Sequence, residues 1–255
     1  MNNKLIAVMV LFVAGLVFAQ SETSIAKPAP REHRGFYSVS SFAFAYNWYD
    51  ASMERVDEFE DYEDYDKPPK NVKEKDVDYY EFNGLAFPEF DFKFGVAVGN
   101  LIAFHTNFDF GFFTGPIDHF YKEYRTECNA QKQCTKTTKE DEDEEYSSDA
   151  YTFRTFIGFG TTLYPFRNKV PVMEGFFVGG SYGYSMFLTY IQTGRSGCAN
   201  FGPSFKVELG KEWWVGDHMS MGVGLGYARS ELMYASTKSH KTDNVLSLSF
   251  RMTRG

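Results

Sequence analysis

The chain has 255 residues, a formal net charge of -8 and an 18% share of aromatic residues, with 27 Phe and 17 Tyr. Its length and its 43% hydrophobic content allow one sizeable core, which excludes disorder of the whole chain. The acidic balance lacks the phosphate-neutralising charge that dominates nucleic-acid binding, so we expect no nucleic acid as a partner. The aromatic excess favours β structure, because aromatic side chains fit a pleated surface.

The first 19 residues have the pattern of an export signal. Lys4 precedes an apolar run from Leu5 to Phe18, and the small residue Ala19 follows. At about 14 residues this run is shorter than the roughly 20 that a spanning helix needs, which disfavours the alternative of an uncleaved membrane anchor. We therefore predict a signal peptide over residues 1–19, cleavage between Ala19 and Gln20, and a short periplasmic leader over residues 20–34.

Alternation of apolar and polar side chains with a period of two recurs along the rest of the chain. Between Glu89 and Val98, phenylalanine and valine occupy one face and charged or small residues occupy the other. Gly99-Asn100 then has the form of a two-residue hairpin turn. The eight segments with this pattern are 41–48, 89–98, 102–112, 152–163, 178–186, 204–213, 221–228 and 245–251.

The small residues of the second face decide between three kinds of β protein. A soluble sandwich would place Lys, Glu and Thr on its solvated face, whereas Gly222, Gly224 and Gly226 fill one such face here. Aromatic side chains inside a lipocalin-like barrel of eight strands would overfill the interior. The aromatic face must therefore contact lipid. We predict an all-β, eight-stranded antiparallel transmembrane up-and-down β-barrel over residues 35–255, in the outer membrane of a Gram-negative bacterium, with membrane lipid as its partner.

The connections between the predicted strands alternate between long and short. This order is typical of outer-membrane barrels, which have long extracellular loops, short periplasmic turns and periplasmic termini. We predict long extracellular loops over residues 50–81, 114–149, 188–203 and 233–243.

Two stretches of the sequence resemble a known family. Phe159–Phe166 and Gly175–Tyr184, with Tyr164-Pro165 before the turn, resemble the strand, turn and strand of small bacterial outer-membrane barrels of the OmpA and OmpX type. Gly210–Tyr227 is similar to the same pattern. The resemblance covers roughly residues 35–252 and implies the barrel architecture and location but no particular activity, since the family includes structural, adhesive and enzymatic members. One departure is that Phe250 is followed by non-aromatic residues, whereas such barrels usually end on an aromatic residue that guides assembly.

Ten ionisable residues fall on the predicted inward face. Buried charges persist only when they are paired and hydrogen-bonded, so we expect an ion-paired network that fills a narrow interior. The alternative is a small ion pathway through the same network, although wide aqueous channels need about 16 or more strands. The predicted network consists of Glu89, Asp91, Lys93, His105, Asp109, Arg154, Lys206, Glu208, Glu212 and Arg251.

The two longest predicted loops carry most of the negative charge. Residues 50–81 contain 13 acidic and 5 basic residues, and residues 114–149 contain 10 and 5. Such stretches are expected to be solvated and self-repelling, with weak binding of divalent cations as an alternative. The tyrosines among the acidic residues favour a sugar- or surface-binding role, because Tyr supplies rigid contact area.

Three cysteines in an exported chain invite a disulfide prediction. Cys128 and Cys134 lie in the same predicted loop, so a bridge between them is the first choice, and Cys198 pairing with either is the alternative. A zinc site is disfavoured, because no histidine or second close cysteine pair completes a tetrahedral set. We expect no cofactor.

The histidines do not assemble a catalytic pattern in the sequence. His105 lies four residues before Asp109 and His119 follows Asp118, but neither pair has a nucleophile beside it. We therefore expect a non-catalytic outer-membrane protein with acidic surface loops that serves envelope structure, adhesion or binding. The alternatives are an outer-membrane enzyme acting on lipid or peptide, and a narrow pore.

Overall fold

A computed structural model describes residues 33–61, 70–128, 134–140, 146–166, 173–191, 198–232 and 238–255. The predicted signal peptide, its cleavage site at Ala19 and Gln20, and the leader up to residue 32 lie outside these residues. The described part contains the strands β1 (Gly35–Asp61), β2 (Lys70–Val98), β3 (Ile102–Cys128), β4 (Cys134–Glu140), β5 (Tyr146–Leu163), β6 (Phe176–Ile191), β7 (Cys198–Trp214), β8 (Met219–Leu232) and β9 (Lys238–Arg254). In that part of the chain, no helix is long and apolar enough to cross a bilayer.

The strands close into a ring of eight. Each strand pairs antiparallel with its neighbours, and β1 pairs with both β2 and β9, which closes the sheet on itself. The short strand β4 does not add a ninth position to the ring. β3 pairs with β5 as far as His119 and with β4 from Lys122 onward, so β4 and β5 occupy the same place at different heights. The predicted eight-stranded antiparallel barrel is therefore confirmed.

The outer face of the ring is apolar and exposed. Phe44, Phe104 and Phe159 expose 62%, 53% and 75% of their surface, and similar side chains continue around all eight positions. A closed barrel pairs all its backbone groups within the sheet, and an outer surface of this composition is stable against lipid rather than water. The chain thus has the architecture of a barrel that spans the outer membrane.

Eight aromatic side chains of the described residues are buried in the interior, contrary to the expectation that the aromatic residues face lipid. Four of these rings lie against a glycine of the same or a neighbouring strand, which leaves room for them. For example, the ring of Phe156 lies against Gly158, and that of Phe177 lies against Gly210 and Gly224. The eight buried rings belong to Tyr37, Tyr49, Phe82, Phe113, Phe156, Tyr164, Phe177 and Phe187.

The strands on one side of the barrel are much longer than the sequence pattern predicted. Most of the predicted loops 50–81 and 114–149 continue β1, β2 and β3 or form β4, and the predicted loops 188–203 and 233–243 are shortened in the same way. We call residues 50–61, 70–82, 114–128 and 134–140 the extended sheet. It stays paired as far as Asp61–Lys70 and Asn71–Cys128. Cross-strand pairs such as Lys75–Glu54 and Arg125–Glu74 offset its charges.

The predicted hairpin turn joins β2 to β3. Gly99 and Asn100 both have positive φ angles, of 59° and 52°, and the Leu101 amide donates to the Val98 carbonyl. We expect Asn100→Val to cost about 1–2 kcal/mol of unfolding free energy, because a β-branched residue is strained at positive φ. Urea unfolding in detergent micelles measures this cost. Asn100→Gly removes the same side-chain hydrogen bond to the His33 backbone but keeps the turn conformation, so equal losses in the two variants would contradict the role of the backbone angle.

Candidate functional sites in the barrel interior and the extended sheet

A lysine shared by two aspartates occupies the middle of the barrel interior. Asp91 and Asp109 lie directly opposite each other on β2 and β3. The Lys206 ammonium, projecting from β7, lies 2.6 Å from one carboxylate and 2.7 Å from the other. All three side chains are buried or nearly so. Without the lysine, two like charges would face each other in a region of low dielectric constant.

A second group of charges fills the interior toward the β2–β3 turn. The Arg251 Nε atom lies 2.9 Å from Glu212, and its guanidinium also contacts Glu208 at 3.4 Å. Lys93 pairs with the same Glu208 carboxylate. The guanidinium donates to the Tyr37 hydroxyl and lies over the Phe177 ring, so one of the inward aromatic residues packs directly against it.

A third group lies toward the extended sheet. Arg154 contacts Glu89 at 3.5 Å and Asp243 at 3.7 Å. Lys241, on β9, lies 3.5 Å from the centre of the Tyr49 ring and 4.8 Å from that of Phe187. Lys241 and Asp243 fall in the predicted loop 233–243, so the predicted interior network does not include them. Residue 245 lies on the predicted inward face, and extending the same alternation two residues toward the N-terminus places Asp243 on that face as well.

The structure therefore brings nine of the ten predicted interior residues into ion pairs. The tenth, His105, is buried and shares a 3.0 Å hydrogen bond with Thr162 instead. His105 and Asp109 belong to different contacts, so they do not form the pair that their spacing in the sequence raised as a candidate. Among the described residues, no group of three or more His, Cys, Asp or Glu side chains is arranged to hold a metal ion.

The end of the barrel near the β2–β3 turn is closed by a residue from outside the strands. The His33 ring lies 4.6 Å from the Tyr164 ring and 4.5 Å from the Trp214 ring, measured between centroids. Its backbone exchanges two 3.0 Å hydrogen bonds with Asn100. Its Nε2 atom lies 3.4 Å from Glu212. The segment before β1 is thereby fixed across this mouth.

Glu212 receives an unusually complete set of donors. Besides His33 and Arg251, three hydroxyl groups donate to its carboxylate, at distances of 2.6–3.3 Å. The donors are Tyr164, Ser220 and Thr253. Because its donors include residues of β8, β9 and the segment before β1, the Glu212 carboxylate connects these parts of the chain to β7.

A histidine and a carboxylate pair on the inner face of the extended sheet. The side chain of His119 is fully buried, and its Nε2 atom lies 2.7 Å from Asp78 on β2. The Tyr80 ring packs beside it at 4.7 Å. The neighbour in sequence, Asp118, lies opposite Glu81 on the other face of the sheet, so it is not the carboxylate that orients His119.

Two of the three cysteines lie close together, and the third lies on another strand. Cys128 and Cys134 lie opposite each other in the β3–β4 pair, with their Cα atoms 4.1 Å apart. Cys198 begins β7, opposite Thr189 of β6. Strand pairing therefore favours Cys128 and Cys134 as bonding partners over either pairing with Cys198.

Comparison with known proteins gives distant likenesses in fold. No protein-family model matches the chain, and no curated protein matches its sequence. The structure is similar to that of the outer membrane protein OprG from Pseudomonas aeruginosa, at 10% identity and a TM-score of 0.42, over 88% of this chain and 98% of OprG. It is also similar to Neisserial surface protein A, at 12% identity and a TM-score of 0.36, over 81% and 95% of the two chains.

A third similar structure is the outer membrane protease OmpT from Escherichia coli, at 8% identity and a TM-score of 0.31, over 92% of this chain and 99% of OmpT. These likenesses are too remote to assign a role. The fold rests on strand pairing, ring closure and the exposed apolar face described above. On those grounds, the chain is an eight-stranded outer-membrane β-barrel with a charged, closely packed interior.

Proposed function

We propose that the protein is a non-catalytic surface protein, in which the barrel anchors the extended sheet in the outer membrane and the extended sheet contacts surfaces or ligands outside the cell. The observation that carries this proposal is the height of the extended sheet. The β1–β2 pairing continues as far as Asp61–Lys70, well beyond Glu54–Lys238, the last pair between β1 and β9. Paired strands of this length hold their side chains in fixed positions, as a binding surface requires.

The packed interior supports the same proposal. Five cationic side chains and six carboxylates occupy the three groups of charges, and contacts between them link strands across the barrel. Any ion pathway would have to separate these pairs, and separating a buried pair costs several kcal/mol. We therefore favour a closed barrel over a narrow pore.

Trimming the extended sheet at its paired positions tests the proposal. Replacing residues 56–75 and 123–139 each with Asn-Gly joins Arg55 to Asp76 and Lys122 to Glu140, which are already direct partners. Cells that display the full chain should adhere to at least one member of a panel of immobilised glycans and matrix proteins, and the trimmed variant should not. Faster migration of unboiled samples on detergent gels provides the control for intact barrels. Equal adhesion by both forms would contradict the proposal.

The His119–Asp78 pair favours a second candidate, a hydrolase active site on the inner face of the extended sheet. A carboxylate that orients a histidine is one part of a general-base arrangement. The purified protein would then cleave a peptide or ester library, and His119→Gln would abolish cleavage while its unboiled samples still migrate faster on detergent gels. A non-catalytic role predicts that the wild-type protein gives no cleavage above a buffer control.

We further propose that Cys128 and Cys134 form a disulfide bond in the cell envelope, where oxidising conditions allow one. On intact cells, a thiol-reactive probe should label neither residue unless a reductant is added first. A Cys198→Ser variant removes the remaining thiol from the measurement. Labelling of both residues in this variant without reductant would show that the bond is absent.

The predicted weak binding of divalent cations stays a prediction. The acidic run from Asp57 is described only as far as Asp61, and residues 141–145 of the second run lie outside the described residues.

A further inference from the structure

Two tyrosines and three lysines gather on the outward face of the extended sheet. Lys75 lies directly opposite Tyr124 in the β2–β3 register, and Val77 lies opposite Lys122. The Lys136 ammonium, from β4, lies 5.2 Å from the centre of the Tyr124 ring. Tyr79 is hydrogen-bonded to Tyr124 and lies within electrostatic range of Lys75 and Lys122. We call Lys75, Tyr79, Lys122, Tyr124 and Lys136 the tyrosine–lysine cluster.

Strand alternation shows which way the cluster faces. On β3, Phe104, Phe108 and Phe112 expose their side chains on the outer, lipid-facing surface of the barrel. Lys122 and Tyr124 lie 10 and 12 positions after Phe112 on β3, and even offsets place side chains on the same face of a strand. The β3–β5 pairing has no register shift that would interrupt this alternation. The cluster therefore lies on the same face, above the apolar band and away from the barrel axis.

The cluster combines positive charge with aromatic surface in a chain whose net charge is -8. Glu54, on the neighbouring strand, accepts a 2.9 Å hydrogen bond from Lys75, and Glu140 is the register partner of Lys122. The two residues belong to β1 and β4, the strands at the two sides of the cluster. The Lys75 and Glu54 side chains are 37% and 35% exposed, and an ion pair in contact with water contributes little and exchanges readily.

The ionisation states suit an anionic ligand. The hydrogen bond from Lys75 to Glu54 raises the pKa of the ammonium, so Lys75 remains charged at neutral pH. Partial burial, together with the hydrogen bond to Tyr124, raises the pKa of Tyr79, so its hydroxyl group remains a hydrogen-bond donor. Phe120, which lies opposite Tyr79, adds a third ring to the same face.

From this arrangement we infer that the tyrosine–lysine cluster binds an acidic polysaccharide. Ammonium groups pair with sulfate, phosphate or carboxylate groups, and flat aromatic rings offer apolar surface to the faces of sugar rings. An open sheet face suits a long, narrow polymer better than a small molecule, which prefers a concave pocket. This inference rests on the proposed surface-binding role and names the class of ligand.

Binding of two polymers to the full-length protein in detergent micelles tests the inference. Dextran sulfate should bind, with an affinity that falls as salt rises, and uncharged dextran should not. Each of Lys75→Gln, Lys122→Gln and Lys136→Gln should weaken dextran sulfate binding about threefold, and the triple variant at least about tenfold. Tyr124→Ala should weaken it as well, because the central ring is lost.

Arg125→Gln provides the matched control. Arg125 follows Tyr124 on β3 but lies on the opposite face, where it pairs with Glu74 at 3.3 Å. This substitution removes one positive charge from the same strand and should leave dextran sulfate binding unchanged. Equal losses in Arg125→Gln and Lys122→Gln would overturn the inference, because binding would then follow total charge alone.

The remaining outcomes separate this inference from the proposed function. If the trimmed sheet abolishes cell adhesion while the triple lysine variant still binds dextran sulfate, the surface role stands and the assignment to the cluster is wrong. If the wild-type protein binds poly(L-glutamate) more tightly than dextran sulfate, the cluster serves an acidic protein and the polysaccharide assignment is wrong. Loss of dextran sulfate binding in the triple variant, with Arg125→Gln unchanged, supports it.

Discussion

Lys206→Met is expected to lower the free energy of unfolding by about 3–5 kcal/mol. The substitution keeps most of the side-chain volume and removes the ammonium that lies between Asp91 and Asp109. These carboxylates lie directly opposite each other on neighbouring strands. Removing the shared cation leaves the buried Asp109 without its cation and leaves Asp91 with Lys93, whose ammonium lies 3.7 Å away.

Urea unfolding of the purified protein in detergent micelles measures this loss, and a second substitution provides the control. Asp109→Asn in the Lys206→Met background removes the charge that has lost its cation, so the double variant should be more stable than Lys206→Met alone. If Lys206→Met is as stable as the wild-type protein, the central ion pairs do not stabilise the barrel.

Phe92→Arg is expected to prevent assembly of the barrel in the membrane. Phe92 lies on the outward face of β2, close to the middle of the stretch that runs from Leu85 to Val98. Its ring centroid lies 6.4 Å from that of Phe90 and 6.2 Å from that of Phe110. An arginine on the lipid face near the bilayer midplane costs about 2–4 kcal/mol. Loss of protein from the outer-membrane fraction, and loss of the mobility difference between unboiled and boiled samples, measure the effect.

Phe92→Leu is the matched control, because it keeps an apolar side chain against lipid. It should assemble like the wild-type protein. Equal yields of the arginine and leucine variants would show that Phe92 does not face lipid, which would contradict the assignment of the two faces of β2.

The sequence predicted the faces of the membrane-spanning strands well because lipid imposes a strict alternation. Phe92 and Asp91 are neighbours in sequence, yet one lies on the outer surface and the other is buried in the interior, as the period of two requires. The apolar alternation is strong only over residues 245–251 of the last strand, whereas the strand itself begins at Lys238, so the predicted strand was too short. Lys241 and Asp243 lie just before these residues, so the third group of charges was incomplete.

Other features depend on contacts that no local pattern contains. In the extended sheet both faces carry polar residues, so Lys73–Tyr80 shows no apolar face and its composition is typical of a loop. The ring of Phe177 can point inward because Gly210 and Gly224 lie beside it, which depends on the register of three strands. The pairing of His119 with Asp78, rather than with the adjacent Asp118, also follows from the β2–β3 register.

The closed interior separates the proposed surface role from the narrow-pore alternative, and ion conductance across a planar lipid bilayer tests it directly. The three groups of buried ion pairs and the His33 closure predict that the purified wild-type protein, after insertion, gives no stable conductance steps above the baseline of the bilayer. Regular single-channel steps from the wild-type protein would contradict a closed barrel and would favour the narrow pore instead.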